Sequence, residues 1–528
     1  MGEDSCDVVV IGAGISGLTA SALLARSGLH VHTVEAGLRP GGYLAGFHRD
    51  GFTFDTAIQW LNQCGPGGFC DNVFRFLGPD YPRAKPLKRL RRYVSETHDH
   101  LLTDDPTILQ DRLIEEHPAE RRGIERFFRD ARILGERFRQ LRFRMRAMET
   151  MSLAEKTRFG LRMGRWALPV WKHLKRTAEE GLARYFRGPE VPRLFACEES
   201  MMAVIVPVAH AFIRDVQGPP EGGGQAYIGW LRGRVEALGS DVSLGRRVDR
   251  VLLEDGRAAG VTLEGGETIR SRWVIAACDV ETLYERMLPP GTVPQSLLRR
   301  LREADLYYSN VALFIGLDCD PASLGFGEEY VGITREGLLR HEHRSGDPYK
   351  TLVNVLAPSV RDPTLAPAGK GTLTIHCPAW MNYADGWKTE EGMGRGPAYR
   401  RLRQEFADVL LERVERAMGA RIRHHTEVLS IATPVTYWRY TGNRDGSIMG
   451  AKPTRRNIRN KLAHYHTAVP QLLLAGHWAQ YGGGVPVAVQ TAVNASLLVL
   501  READPRAFGA LRDVVDGRPP TEKGGQGF

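Results

Sequence analysis

Residues able to do chemistry gather at the two ends of this 528-residue chain. Near the start, Gly12-Ala13-Gly14-Ile15-Ser16-Gly17 follows the apolar run Asp7-Val8-Val9-Val10-Ile11 and precedes an alanine- and leucine-rich stretch, Leu18 to Ser27. A second apolar run, Leu29 to Val34, ends at Glu35, 23 positions after Gly12. These types and spacings suit a dinucleotide cradle. Gly12 permits a tight turn, Gly14 lets backbone approach a pyrophosphate, and Gly17 lets a helix pack close to a strand. Ile15 and Ser16 open that helix, whose unpaired N–H groups and partial positive charge favour phosphate. Glu35 is placed to accept hydrogen bonds from a ribose and to repel a 2′-phosphate. Near the other end, Gly482-Gly483-Gly484-Val485-Pro486 opens a second helical stretch running to Leu500, after a strand-like Gln471 to Ala475 and Gly476. Four side chains are candidates for proton transfer or carbonyl binding: His477, Tyr440, Arg439 and Glu198. None of them is a compelling base, and no metal-ligand spacing is present.

The elements that must position these groups follow from periodicity. The first 42 residues read as a βαβ unit. Asp50-Gly51 between apolar runs is a hairpin signal, and Asp55 just beyond it is read as a structural tie for that hairpin. Thr107 to Glu115 is a helix, and residues 119 to about 187 are mostly helical. Within them, Pro169 divides Leu161 to Lys175 into two short helices. Met201 to Ala211 is read as a core helix with a solvated acidic start, the alternative being the wall of an apolar tunnel with Glu198 near its end. His210 is read as a core histidine. Asn310 to Gly316, Thr351 to Leu356 and Thr372 to Cys377 are β-branched or apolar strands, and Tyr399 to Met418 is an amphipathic helix.

Composition narrows the class. Hydrophobic content of 42% and charged content of 25% are ordinary for a globular enzyme. The seven cysteines form no C-x-x-C pair, which fits reduced thiols in a cytoplasm better than a disulfide framework or zinc site. The first strand begins almost at Met1, so no signal peptide is expected ahead of it, and no apolar run is long enough to span a bilayer. The net charge of +9 is concentrated. Arg137, Arg139, Arg142, Arg144 and Arg146 lie together, and Arg158, Arg162, Arg165, Lys172, Lys175 and Arg176 follow. A solvated helix face, an anionic membrane surface and nucleic acid compete as readings. No recognition motif supports nucleic acid. The segment 137–176 is the candidate for peripheral membrane contact.

A family resemblance rests on these motifs. Glu35-Ala36 followed by Gly41-Gly42 resembles the E-A-x4-G-G extension of FAD-binding flavoproteins of the amine oxidase and phytoene desaturase superfamily. Pro40-Gly41-Gly42 with Asp50-Gly51-Phe52-Thr53-Phe54-Asp55 resembles a segment of carotenoid isomerases, retinol saturases and bacterial phytoene desaturases. Thr433-Pro434-Val435-Thr436 through Gly450 resembles a further segment of that branch. Gly476 with Gly483-Gly484-Val485-Pro486 resembles the closing motif that holds the flavin ring.

The resemblance implies an α/β fold: a Rossmann-like FAD-binding domain of the glutathione-reductase and amine-oxidase type. This domain is interleaved with an α+β substrate domain containing a mixed sheet and a helical insertion. Residues 1–75, 218–290 and 465–505 would form the FAD-binding domain. Residues 76–217 and 291–464 would form the substrate domain, roofed by helices over 119–215, and 517–528 would be a disordered tail. Val248 would pair its backbone with the adenine. The cofactor would be non-covalent FAD, with NAD(P)H or another electron partner acting from outside, because only one G-x-G-x-x-G is visible. The reaction would be desaturation, saturation, isomerisation or reductive ring closure on an apolar, conjugated polyene. Two rivals share the fold: a flavin amine oxidase using dioxygen, often with a lysine near the flavin, and a non-catalytic lipid- or prenyl-binding escort protein.

Overall fold

In the computed structural model, residues 4–57, 60–141 and 146–518 are described. Arg142, Arg144 and the expected tail beyond residue 518 lie outside them. Among the described residues, two seven-stranded sheets organise the chain.

The first is the nucleotide sheet. Its centre is Asp4–Ile11, which pairs in parallel with Val31–Val34 on one side and Thr268–Ala276 on the other. Parallel strands covered on both faces favour continuous β-branched runs, and Val8, Val9 and Val10 are fully buried. Thr268–Ala276 is long enough to serve two partners on one edge. Its first residues pair antiparallel with Arg257–Leu263, and Val274 to Ala276 pair in parallel with Leu472–Leu474 from the far end of the chain. The helices Ile15–Arg26 and Val485–Ala503 therefore emerge side by side and pack together. The core of this sheet also takes in Phe69 to Leu77, Tyr81 and Ala84, as well as Leu298, Leu301, Leu511 and Val515. Its packing thus passes the expected limits at 75, 290 and 505, because these amphipathic segments find their apolar cover there.

The second sheet is mixed, as expected. Its order is Thr426–Ala432, Ser309–Leu317, Gly371–Ala379, Val353–Leu356, Tyr330–Ile333, Arg89–Val94 and Asp99–Thr103, and only Tyr330–Ile333 with Arg89–Val94 is parallel. Strand alternation gives it two unlike faces. Val311, Leu313, Ile315, Leu373, Ile375 and Val355 point one way and share a core with Phe406, Leu410 and Val414 of the helix Pro397–Met418. Asn310, Ala312, Phe314, Thr374 and His376 point the other way. The hairpin Phe47–Arg49 and Phe52–Phe54 covers Ala312 and Phe314 on that face. Its turn is the expected one: Asp50 and Gly51 both have positive φ, +49° and +85°, as a type I′ hairpin requires.

The helices Arg121–Leu141, Leu153–Leu174 and Met201–Phe212 form a layer with its own core. One expectation fails here. Leu153–Leu174 is a single 22-residue helix across Pro169, not two short ones. A capping box starts it, with Glu155 N donating to Ser152 Oγ (3.3 Å) and Ser152 N donating to Glu155 Oε2 (2.8 Å). Val170 and His173 beyond the proline are buried. That anchoring on both sides offsets the lost backbone bond, a cost of about 3 kcal/mol. Met201–Phe212 likewise continues through Pro207 and is mostly buried, as the core-helix reading expects.

Candidate active site

The glycine turn follows from its geometry. Gly12 has φ +104°, and a Cβ there would lie 2.9 Å from the Ala277 carbonyl oxygen. Its N–H donates to Val34 O at 2.8 Å. A Cβ on Gly17 would lie 1.9 Å from Gly12 O, so helix and strand touch only because both positions lack side chains. Gly14 differs, since nothing lies within 4 Å of the place its Cβ would occupy. It stands at the N-terminus of Ile15–Arg26, which no side chain caps. The amides of the first turn at Ile15 and Ser16 thus border open space, where an anion is favoured.

Glu35 closes one flank. Its Oε2 accepts from Ala13 N at 2.8 Å and its Oε1 from Gly37 N at 2.7 Å. Each carboxylate oxygen keeps a further lone pair for a ribose hydroxyl. Gly41 N donates to Ala13 O at 2.8 Å, which lays Gly41 and Gly42 beside Gly14. Ala36 and Val248 line the same end.

The distant glycines meet this cradle. Gly476 N donates to Thr491 Oγ1 at 2.9 Å, and Thr491 Oγ1 lies 3.2 Å from Ser16 Oγ. One hydroxyl pair thus seams the first long helix to the last. Gly476 has φ +79° and open space at its Cβ position, whereas a Cβ on Gly483 would strike Met449 Sδ. Gly484, at φ +85°, stands at the N-terminus of Val485–Ala503, with Pro486 in the first turn and no side-chain cap. Two bare helix N-termini therefore face one cavity.

That cavity measures about 1320 Å³. Single drug-sized ligands occupy roughly 300–1,000 Å³, so the space suits a dinucleotide and a second molecule together. Beyond the glycines it is walled by Trp60, Ala312, Leu356, Leu365, Tyr437 and Trp438. Thr56 and Ala57 line it as well, while residues 58 and 59 are outside the described residues.

The candidate side chains separate here. His477 lines the cavity, and Asn443 Nδ2 lies 3.4 Å from its Nε2. Asn443 Nδ2 also donates to Tyr43 Oη (2.7 Å) and Ser447 O (3.2 Å), and Tyr43 Oη donates to Ser447 O (2.5 Å). The Ser447 carbonyl can only accept, so the amide nitrogen faces this cluster; its two hydrogens go to Tyr43 Oη and Ser447 O, and His477 Nε2 lies beside them. Desolvation holds His477 neutral, at about 4.

Arg439 and Tyr440 line the cavity at its exposed mouth; Tyr440 is 82% exposed, and Arg439 Nη2 reaches Met393 O at 3.4 Å. Glu198 does not join them. It is buried in ion pairs with Arg91 (2.9 Å) and Arg344 (3.5 Å), so its candidacy for proton transfer is corrected to a structural one. Asp55 accepts from Gly224 N at 2.8 Å, which ties the hairpin's end to the helix Gly224–Ala237. His210 stacks on Phe138, ring centroids 5.3 Å apart, inside the helical layer.

Sequence reading missed Asn310, Thr374, His376 and Arg361, all of which line the cavity. The signal was the alternation in Asn310-Val311-Ala312 and Thr374-Ile375-His376, which marks a polar face. Nothing local says that this face is buried.

The profile of flavin-containing amine oxidoreductases matches residues 15–500. The chain belongs to that family. It is a flavin-dependent oxidoreductase, and the open spaces at Gly14 and Gly476 are cradles of the kind a flavin dinucleotide fills.

Three relatives are similar over most of their length. All-trans-retinol 13,14-reductase of Danio rerio is 24% identical, covering 97% of this chain and 89% of its own. The lycopene-forming phytoene desaturase of Pseudescherichia vulneris is 24% identical over 93% of this chain and 98% of its own. Prolycopene isomerase 1 of an Oncidium hybrid cultivar is 25% identical over 85% and 76%. Among solved structures, putrescine oxidase bound to putrescine aligns with a TM-score of 0.58 at 15% identity, over 95% of this chain and all of that one. An oxidoreductase from Methanosarcina mazei gives 0.57 at 15%, over 94% of this chain and 100% of its own. These likenesses establish the expected fold. Among the described residues of this family member, no helix is long and apolar enough to cross a membrane.

Proposed function

We propose that this flavoprotein holds FAD non-covalently and acts on carbon–carbon bonds of a long, conjugated polyene. The observation that carries this reading is one continuous cavity of about 1320 Å³, a dinucleotide cradle at one end and an aromatic, apolar compartment at the other. The polyene relatives align along nearly the whole chain. Gly12, Gly14, Gly17 and Glu35 would hold the pyrophosphate and ribose, and Gly476 with Gly483 to Pro486 would hold the ring.

FAD, when bound, supplies hydride transfer. The chain's own groups orient and shield. The N-terminus of Val485–Ala503 brings partial positive charge to the ring's end of the cavity. Tyr437 and Trp438 wall the apolar compartment against water. His477, held neutral by burial, brings no positive charge to the site. Of the lining carboxylates, Asp279 caps a helix through Thr282 N at 2.7 Å, and Glu35 is held by two backbone amides. Substrate deprotonation by Glu35 is therefore no part of the proposal.

The reading includes an external electron partner such as NAD(P)H. It also includes work in the cytoplasm at an anionic membrane surface. Exposed Leu153, Leu161 and Trp171 support the latter, with exposed Arg158 and Arg165 on the same helix and Lys175 Nζ 4.0 Å over the Trp171 ring. Cosedimentation with phosphatidylglycerol vesicles should fall in Leu161→Glu and Trp171→Glu; unchanged cosedimentation removes the membrane contact.

Anaerobic incubation with polyenes tests the chemistry. Product formed with oxidised flavin alone means desaturation. Product with reduced flavin that stays reduced means isomerisation, and stoichiometric reoxidation means saturation or reductive ring closure. Peroxide release with polyamines, and no turnover of any polyene, would replace this reading with the amine oxidase.

A further inference from the structure

The basic stretch concentrated in one segment of the sequence does more than coat a helix. Arg146, Arg158 and Arg162 come from it, and the fold gathers them with Arg518 around a pocket of about 310 Å³ that shares no lining residue with the flavin cavity. The pocket lies between the helix Leu153–Leu174 and the residues that follow the helix Pro505–Val515. Glu155, Arg158, Phe159 and Arg162 share one side of the first helix because they stand three or four positions apart.

Four guanidinium groups and two carboxylates line this pocket, which leaves two positive charges in excess. The carboxylates are already engaged. Glu155 Oε1 accepts from Arg146 Nη2 at 2.7 Å and its Oε2 from Ser152 N at 2.8 Å. Asp516 Oδ2 accepts from Arg518 Nη2 at 2.6 Å, and its Oδ1 lies 3.5 Å from Arg146 Nε. The arginines keep unspent capacity. Arg146 is 5% exposed, and its Nη1 has no hydrogen-bond partner. Arg158 is exposed and makes no ion pair or hydrogen bond among the described residues. A charged donor is costly to bury without a partner, and an anion entering the pocket offsets that cost. Phe159 and Met151 add an apolar wall.

We propose that this pocket binds a phosphate monoester, carried on a lipid headgroup or on a small soluble molecule. Planar guanidinium forks match phosphate oxygens two at a time. A monoester brings roughly −1.5 to −2 charge at neutral pH, which balances the excess on the lining. A phosphodiester carries a single charge and fits less well. Leu153 and Leu161, exposed on the same helix, are where a lipid bearing the group would add contact. The site needs neither the flavin nor the polyene chemistry.

The test uses full-length, flavin-loaded protein and two probes. Calorimetric titration with sn-glycerol 3-phosphate reads the soluble source. Cosedimentation with phosphatidylcholine vesicles containing phosphatidic acid, against phosphatidylglycerol matched for surface charge, reads the lipid source. Binding of glycerol 3-phosphate, or a several-fold preference for phosphatidic acid, supports the site and identifies its source. Arg158→Ala and Arg162→Ala should weaken that binding about tenfold, with unchanged flavin absorbance and melting temperature showing intact folding. Arg165→Ala, on the same helix outside the pocket, should leave it unchanged. Equal losses in Arg165→Ala and Arg158→Ala would mean diffuse charge and overturn the pocket. Equal cosedimentation with both lipids, together with no binding of glycerol 3-phosphate, overturns it too and leaves the membrane contact and the polyene reading standing.

Discussion

At the scale of single residues, the glycines fall into two kinds, and each kind predicts a different failure. Gly12 and Gly17 lack a Cβ because backbone occupies its place. A side chain there disturbs packing between strand and helix, so Gly17→Val should lower stability as well as flavin content. Gly14 lacks a Cβ beside open space. Gly14→Val should therefore fold with near-native stability and yet purify colourless, which flavin absorbance and a thermal melt separate.

The two cavity histidines make a pH prediction. Burial holds both His376 and His477 at about 4, against an ordinary 6.5, because it penalises the charged form. Between those values the unfolded chain binds more protons than the folded one. Stability is then greatest above pH 6.5 and is lost as pH falls towards 4, by roughly 3 kcal/mol per histidine when complete. Melting temperatures should decline across that window, less steeply in His477→Gln. Turnover should show no His477-dependent limb between pH 6 and 8. A limb near 6.5 that vanishes in the variant would contradict the neutral imidazole.

At the scale of elements, Glu198 is informative. It precedes the helix Met201–Phe212 and joins it to the second sheet through Arg91 and Arg344, whose guanidinium groups are largely buried. Removing one partner of a buried ion pair leaves charge uncompensated, typically at 3–5 kcal/mol. Glu198→Ala should lower the urea midpoint sharply while the folded fraction retains its turnover per flavin. Normal stability with lost turnover would restore the catalytic candidacy. The helix Leu153–Leu174 teaches a related point about sequence reading. A proline is a local signal for a break, but a capping box before it and buried residues after it decide the outcome.

At the scale of the whole molecule, the flavin site is assembled from both ends of the chain. Ser16 and Thr491 touch, and Gly14 and Gly484 face one cavity. A ligand spanning that seam binds only the folded state, so flavin should raise stability by about 2.7 kcal/mol at a free concentration 100 times its Kd. Flavin removal should lower the melting temperature by several degrees, and readdition should restore it in a concentration-dependent way. A melt indifferent to flavin would show that the cavity is not its site.

The sequence by itself determined the nucleotide fold and its cradle. Gly12, Gly14, Gly17 and Glu35 act through local backbone geometry, and local geometry is written in spacing. The type I′ turn at Asp50-Gly51 was legible for the same reason. The strands of the second sheet were legible as strands, since β-branched runs and alternation are also local. Tertiary structure alone decided which face of that sheet meets the cavity, where Glu198 finds its arginines, and that Asn443 lies beside His477. Those outcomes depend on burial and pairing between residues far apart in the chain, and no periodicity within a segment encodes its partner. The polar face at Asn310, Thr374 and His376 shows the division most clearly. Its alternation is in the sequence, but only the fold turns it from a solvated surface into the lining of a cavity.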